Sequence, residues 1–368
     1  MHTLVASDLH LAAGFDGDLV RRPRFREILL HEAEAADQIV LLGDVVELRD
    51  RPLAEALEIA LPFFEELADA VGTSRVVLVP GNHDHQLIAP WLERRRLQGG
   101  GPLGLEQIAP PQDGIAVRVA GLLPKAEVTL AYPGVWIRPD VYATHGHYLD
   151  CHVTVPTFER IAIAVAEKLA GALPEGLRST DDYESVQAPL YALLYGVAQG
   201  GNRPRRGLGE NASARVWEAV HGRDGRSPGL RGRLLGSVVL PGVVTAANRL
   251  GLGPLRWDIS MPEIRQAGLR AMRELVPRLG IDAQHVIFGH THRRGPIDGE
   301  AGWELPDGTR MTNTGSWVYA PGLLGPTARD SPFWPGTVVT VADEGPPQAR
   351  HLLDELGHSD LRAPRRRG

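Results

Sequence analysis

The sequence predicts a layered α/β sheet domain interrupted by a long, mostly helical insertion. Two patterns carry that expectation. Over the first third of the chain, short runs that are apolar at every position alternate with amphipathic helices, as strands buried on both faces do. Between Asp150 and about Asp282 the strand pattern stops and helical periodicity takes over, before strands return.

Taken in order, Leu4-Val5-Ala6 is a short strand running into Ser7-Asp8. Phe25 to Ala36 places Phe25, Ile28, Leu29 and Ala33 at helical spacing. Ile39 to Leu42 reads as a buried strand, Leu53 to Val71 as a second helix and Val76 to Val79 as a third strand. From Ile115 to Tyr142 the pattern predicts short strands split by turns, at Ile115–Val119, Glu127–Leu130 and Val141–Thr144. Strand character returns at Val286–Phe288, Arg310–Thr314 and Thr337–Val341. Within the insertion, helices are expected at Phe158–Leu169, Tyr183–Val197, Ala212–Val220 and Pro262–Leu279, separated by breaks such as Gly200-Gly201-Asn202-Arg203-Pro204. The expected organisation is therefore a sheet domain from 1–150 and 283–350, a cap from 151–282, and a tail from 351–368 whose basic end is disordered.

Composition narrows the function. A chain of 368 residues, 43% hydrophobic, can bury a large core without cross-links. The single cysteine, Cys151, excludes an intrachain disulfide and points to a reducing compartment. A net charge of -6 gives no general attraction to nucleic acid, so a nucleic-acid partner is not expected. No apolar run of about 18 residues is present, and no leader pattern precedes the first strand; a cytoplasmic location is the expectation.

Five short signals stand where strands end: Asp8-Leu9-His10, Gly43-Asp44, Gly81-Asn82-His83-Asp84, His145-Gly146-His147 and Gly289-His290-Thr291-His292. Carboxyl ends of strands converge on a common crevice in α/β sheets, so these loops can meet. Their carboxylates, imidazoles and amide are donors that divalent transition metals take. Each piece alone has a bland reading: Asp-x-His is more often a surface turn, and Asn82 or Asp84 could simply cap a helix. Packing gives no reason for all five together.

In this order and spacing the blocks resemble the calcineurin-like metallophosphoesterases. The resemblance covers about residues 1–150 and 284–342. It implies a four-layer αββα sandwich, with two mixed sheets face to face and helices outside, here carrying a large helical insertion. It implies two divalent metal ions (Mn, Fe or Zn). Asp8, His10 and His292 would hold one, Asn82, His145 and His290 the other, with Asp44 bridging both. A water shared by the two ions would be ionised and attack phosphorus. His83 resembles the family's catalytic histidine; Asp84, beside it, is a candidate for orienting it or for capping the helix that follows. Glu47, His147 and Arg293 are candidates for supporting a ligand or touching substrate.

Within the family, Asp8-Leu9-His10-Leu11, Gly289 to Arg293 and Asn313-Thr314-Gly315-Ser316-Trp317 look most like the UDP-2,3-diacylglucosamine hydrolase branch. That likeness implies a phosphodiesterase or pyrophosphohydrolase acting on a phosphorylated small molecule or lipid-linked substrate. His83 stands where that branch often has arginine, and this insertion is longer. The apolar run Leu234 to Val244 could line an acyl pocket or make peripheral membrane contact, or form the cap's own core. Arg203, Arg205 and Arg206 suit a phosphate or a solvated loop. Trp317 and Tyr319 suit a pocket border or core packing, and Cys151 is read as structural. Asn211-Ala212-Ser213 fits a glycosylation acceptor but carries no weight in a cytoplasmic protein. The competing functions are a cyclic-nucleotide phosphodiesterase or nuclease, and a non-catalytic scaffold of the same fold.

Overall fold

Every residue of the first two strands, β1 (Thr3–Ala6) and β2 (Gln38–Leu41), is buried, as the unbroken apolar runs require. The computed structural model describes residues 1–14, 17–112, 114–153, 176–200, 261–321, 323–325, 327–328 and 331–363. The expected helices at Phe158–Leu169 and Ala212–Val220, the run Leu234–Val244, Asn211, Arg203, Arg205, Arg206 and the end of the tail lie outside the described residues. The chain divides into two compact units, Met1–His147 with Ile281–Gly368, and Tyr148–Gly280.

The first unit is built on a mixed sheet. β1, β2, β3 (Arg75–Leu78) and β5 (Glu127–Arg138) run parallel, with β10 (Thr337–Val341) antiparallel to β1 and β11 (Gln348–His351) antiparallel to β10. The edge strand β4 (Glu106–Ala109) pairs antiparallel with the first half of β5. The second half of β5 pairs antiparallel with β6 (Val141–Thr144), which leads in parallel to β7 (His285–Phe288) and β9 (Arg310–Thr314). A two-residue strand, β8 (Arg294–Gly295), closes that edge. The long β5 thus belongs to both halves. Val5, Val40 and Val77 from the first half share one buried cluster with Val141, Ala143 and Ile287 from the second, so the halves pack face to face.

Helices flank the sheets. α1 (Pro23–Glu34) and α2 (Leu53–Val71) match their expected spans closely. α2 buries Ala56, Leu57, Ala60, Phe63, Phe64, Leu67 and Val71, a stripe at 3.6-residue period. Arg26 of α1 reaches Glu66 of α2 through two bonds of 2.6 and 2.7 Å. A further helix, α3 (Ala89–Leu97), precedes β4.

One expected strand is a helix. Ile115–Val119 lies in α4 (Gly114–Gly121), where Ile115, Ala116 and Val119 are buried and Val117 and Arg118 face out. Apolar positions at i, i+1 and i+4 share a helix face, and the run of apolar letters concealed that spacing. The described part of the tail is packed against the sheet-bearing unit. Leu353 and Leu361 are fully buried, Trp334 Nε1 donates to the Leu353 carbonyl at 3.0 Å, and Arg22 donates to the Leu361 carbonyl at 2.6 Å.

The second unit contains α5 (Thr180–Gln199) and α6 (Met261–Arg278). Ser179 and Asp182 form a capping box at the start of α5. Tyr183 of α5 stacks on Tyr148 at 5.2 Å, and Gln187 donates to the buried Cys151 sulfur at 3.6 Å, so Cys151 is a packed structural residue. Among the described residues no helix is long and apolar enough to cross a membrane.

Candidate metal centre

Chain geometry first brings the motifs together. β1, β2, β3, β6 and β7 each end immediately before one motif, and backbone bonds sew the loops to one another. Asp8 N donates to the Gly43 carbonyl at 3.0 Å, His10 N to the Asp44 carbonyl at 2.8 Å, and Gly289 N to the His145 carbonyl at 3.0 Å. Asp8, His10, Asp44, His290 and His292 all have positive φ, between 45° and 67°. Each such non-glycine residue costs about 1–2 kcal/mol, a strain that clusters at functional sites. Glycine is required where loops touch: a Cβ on Gly81 would collide with Asp44 Oδ1 and His145, and one on Gly289 with Ser7 and Asp8.

Each donor is aimed by a second bond. Asp8 Oδ2 accepts from the Ser7 hydroxyl and from His290 N at 3.0 Å, which leaves Oδ1 facing His292 Nε2 at 3.3 Å and His10 Nε2 at 3.9 Å. Asp44 Oδ1 accepts from His83 N at 2.8 Å. Its Oδ2 then faces His145 Nε2 at 3.2 Å on one side and His10 Nε2 at 3.7 Å on the other. His145 Nδ1 donates to the Leu42 carbonyl at 2.9 Å, so Nε2 points to Asp44. His10 Nδ1 is 3.2 Å from Glu47, and its Nε2 lies 3.0 Å from His292 Nε2.

Among the described residues, three groups of side chains could hold an ion: Asp8, His10 and His292; Asp44, His145 and His290; and His10, Asp44 and His83. The first two each draw donors from both halves of the sheet, and Asp44 Oδ2 stands between them. Asn82 adds an oxygen 3.2 Å from His145 Nε2, 3.1 Å from His290 Nδ1 and 3.0 Å from Asp44 Oδ2. An amide oxygen, a carboxylate oxygen and imidazole nitrogens aimed at one spot make a donor set that fits divalent cations.

The electrostatics agree. Burial alone would raise the Asp8 carboxyl, but bonds from His10 and His292 hold it well below the usual range. Asp44 is likewise held low against burial by the charges of His145 and His83, and Glu47 by those of His83 and His10. Burial would lower His145, yet the Asp44 charge raises it to about 9. His147 is pushed well below its ordinary value by burial and by the His145 charge, so it stays neutral, 3.3 Å from the Tyr132 hydroxyl.

The orienting partner of His83 differs from the expected one. Glu47 Oε2 lies 2.5 Å from His83 Nδ1, whereas Asp84 turns to the backbone, accepting from Gly81 N at 2.7 Å, Val45 N at 2.8 Å and Asp44 N at 3.2 Å. Asp84 is neither the His83 partner nor a side-chain helix cap; it clamps one motif loop to another. Burial and the Asp44 charge raise its carboxyl to about 6. Arg293 is buried against Glu300 and lies 5.1 Å over the Trp303 ring. Trp317 and Tyr319 are buried core residues. Sequence reading missed Arg49, which is buried and reaches the far end of the Asn82 amide, because a lone arginine in a loop carries no pattern. It also missed the loop-bracing role of Asn313, whose amide donates to the Gly289 carbonyl and to Thr291 at 3.2 and 2.9 Å.

Residues 1–171 match the family model of calcineurin-like phosphoesterases. No curated protein matches the chain. A solved structure described as a dimetal phosphatase from Danio rerio aligns over 92% of this chain and 95% of its own at 13% identity, with a TM-score of 0.33, a likeness too loose to speak to the fold. The family match over residues 1–171, the mixed sheet with its flanking helices and the paired donor groups agree on a calcineurin-like metallophosphoesterase fold and on a metal-dependent phosphoester hydrolase mechanism.

Proposed function

We propose that this chain is a two-metal phosphodiesterase or pyrophosphohydrolase of the cytoplasm, acting on a phosphorylated small molecule or lipid-linked substrate. Asp8, His10 and His292 hold one ion, Asn82, His145 and His290 the other, and Asp44 serves both. Bound there, a pair of manganese, iron or zinc ions supplies Lewis acidity and the ionisation of water. The observation that carries the reading is Asp44 Oδ2, 3.2 Å from His145 Nε2 and 3.7 Å from His10 Nε2, with one donor group on each side.

His83 supplies the proton for the leaving oxygen. Its Nδ1 is tied to Glu47, and its Nε2 faces the centre, 4.0 Å from Asp44 Oδ2. Burial would lower the imidazole, but the Glu47 charge raises it above its ordinary value, a shift that favours the acid form. An intact donor set and His83 favour catalysis over a scaffold role.

A metal-reconstituted screen tests this, using a bis-aryl phosphodiester, a monoester and a nucleotide-linked pyrophosphate. The diester or pyrophosphate should be cleaved best, and His83→Ala and Asp44→Asn should lose most of that activity. Equal rates for wild type and both variants would end the catalytic reading.

A further inference from the structure

The Asn82 carboxamide has opposite ends in opposite surroundings. One end meets His145 Nε2, His290 Nδ1 and Asp44 Oδ2 at 3.0–3.2 Å; the other meets Arg49 Nη1 at 2.8 Å. With the oxygen inward, it joins the donors of Asp44, His145 and His290, but the amide nitrogen then confronts the guanidinium, donor against donor. With the amide reversed, the oxygen accepts from Arg49 and the nitrogen donates to Asp44. The two orientations fill the same space. Their balance depends on what claims the oxygen.

We propose that Arg49 and a divalent cation compete for the Asn82 oxygen, so that Arg49 sets the loading threshold of the Asp44–Asn82–His145–His290 cluster. The proposal rests on the two-metal reading above. Arg49 is held for this role: its own backbone N donates to Glu47 Oε1 at 2.8 Å, and the residue is only 8% exposed. A charge-assisted bond in such a buried place is strong, and giving it up is costly. The guanidinium charge also reaches His83, where it opposes the pull of Glu47. The Asp8–His10–His292 group contains no amide, so it offers a guanidinium no amide oxygen to claim. The two clusters therefore fill in order, the amide-bearing one second.

Arg49 acts here through Asn82, as a positioning residue. Metal-stripped protein is titrated with Zn²⁺ by calorimetry while bound metal is counted per chain, for wild type, Arg49→Met and Arg49→Gln. All three should take two ions. Arg49→Met should tighten the weaker site about tenfold, or about 1.4 kcal/mol, and leave the tighter one unchanged. Arg49→Gln, which keeps a neutral donor, should fall between, and it carries the comparison if Arg49→Met does not fold. The Asn82 side-chain ¹H–¹⁵N pair, identified by its loss in Asn82→Asp, should shift on Zn²⁺ addition in wild type and much less in Arg49→Met. Plain charge removal would not alter that second readout. A folded Arg49→Met whose second ion binds no more tightly, or a wild-type Asn82 pair indifferent to Zn²⁺, overturns the proposal while the two-metal reading stands. Wild type that binds no Zn²⁺ overturns both.

Discussion

Glu47 Oε2 accepts from His83 Nδ1 at 2.5 Å, and both side chains are buried beside Asp44. The same carboxylate oxygen lies 3.2 Å from His10 Nδ1, so one group aims a proton donor and a metal-type imidazole together. Glu47→Gln keeps the shape and removes the charge. It should lower kcat by about 10- to 100-fold. Glu47 raises the His83 pKa, and the acid form is the active one, so rate is kept below that pKa and lost as pH rises through it. In Glu47→Gln the alkaline limb should therefore move to lower pH, as read from a pH–kcat profile.

Asp84 predicts a different signature. Its carboxylate accepts three backbone N–H groups from two loops, so Asp84→Ala leaves buried donors unpaired and should cost about 1–3 kcal/mol of stability. Chemical denaturation measures that loss. The alkaline limb of whatever activity remains should stay where it is, because Asp84 does not touch His83.

Gly81→Ala tests the close approach of the loops. The added methyl would strike Asp44 Oδ1 and His145, so the backbone must shift at a cost of about 1–3 kcal/mol. Metal content per chain, measured by elemental analysis after reconstitution, should fall below that of wild type even where the protein remains folded at room temperature.

Stability should fall with rising pH in stripped protein, and bound metal should offset that fall. In stripped protein the folded state holds the His145 pKa at about 9 and raises that of His83, against an unfolded value of about 6.5. Such groups contribute fully below 6.5, and the contribution fades as pH climbs through 9. Thermal melts in EDTA should therefore decline across that window. Metal-loaded protein needs neutral imidazoles, so the gain in Tm on adding Zn²⁺ should grow over the same range.

Sequence showed the donors more clearly than their supports. β1, β2 and β7 were legible because strands buried on both faces leave unbroken apolar runs, and the motifs follow them directly. α2 was legible because its buried stripe holds the helical period over 19 residues. α4 was misread because eight residues with apolar neighbours give little period to detect. β4 and β11 are edge strands with polar, partly exposed side chains, so nothing in their letters marks them. The pairing of Glu47 with His83, separated by 36 positions, depends on loop geometry that no local pattern encodes.

A consequence follows from β5, whose halves bond to different partners. The strands of Asp8, Asp44 and Asn82 lie on one side of it, and those of His145, His290 and His292 on the other. An ion gripped from both sides works as a rivet: prising the two layers apart must break coordination bonds as well as squeeze water into oily contacts. Cleft integrity and resistance to delamination are thus a single quantity in this molecule, and chelation should loosen the whole laminate rather than merely empty its mouth.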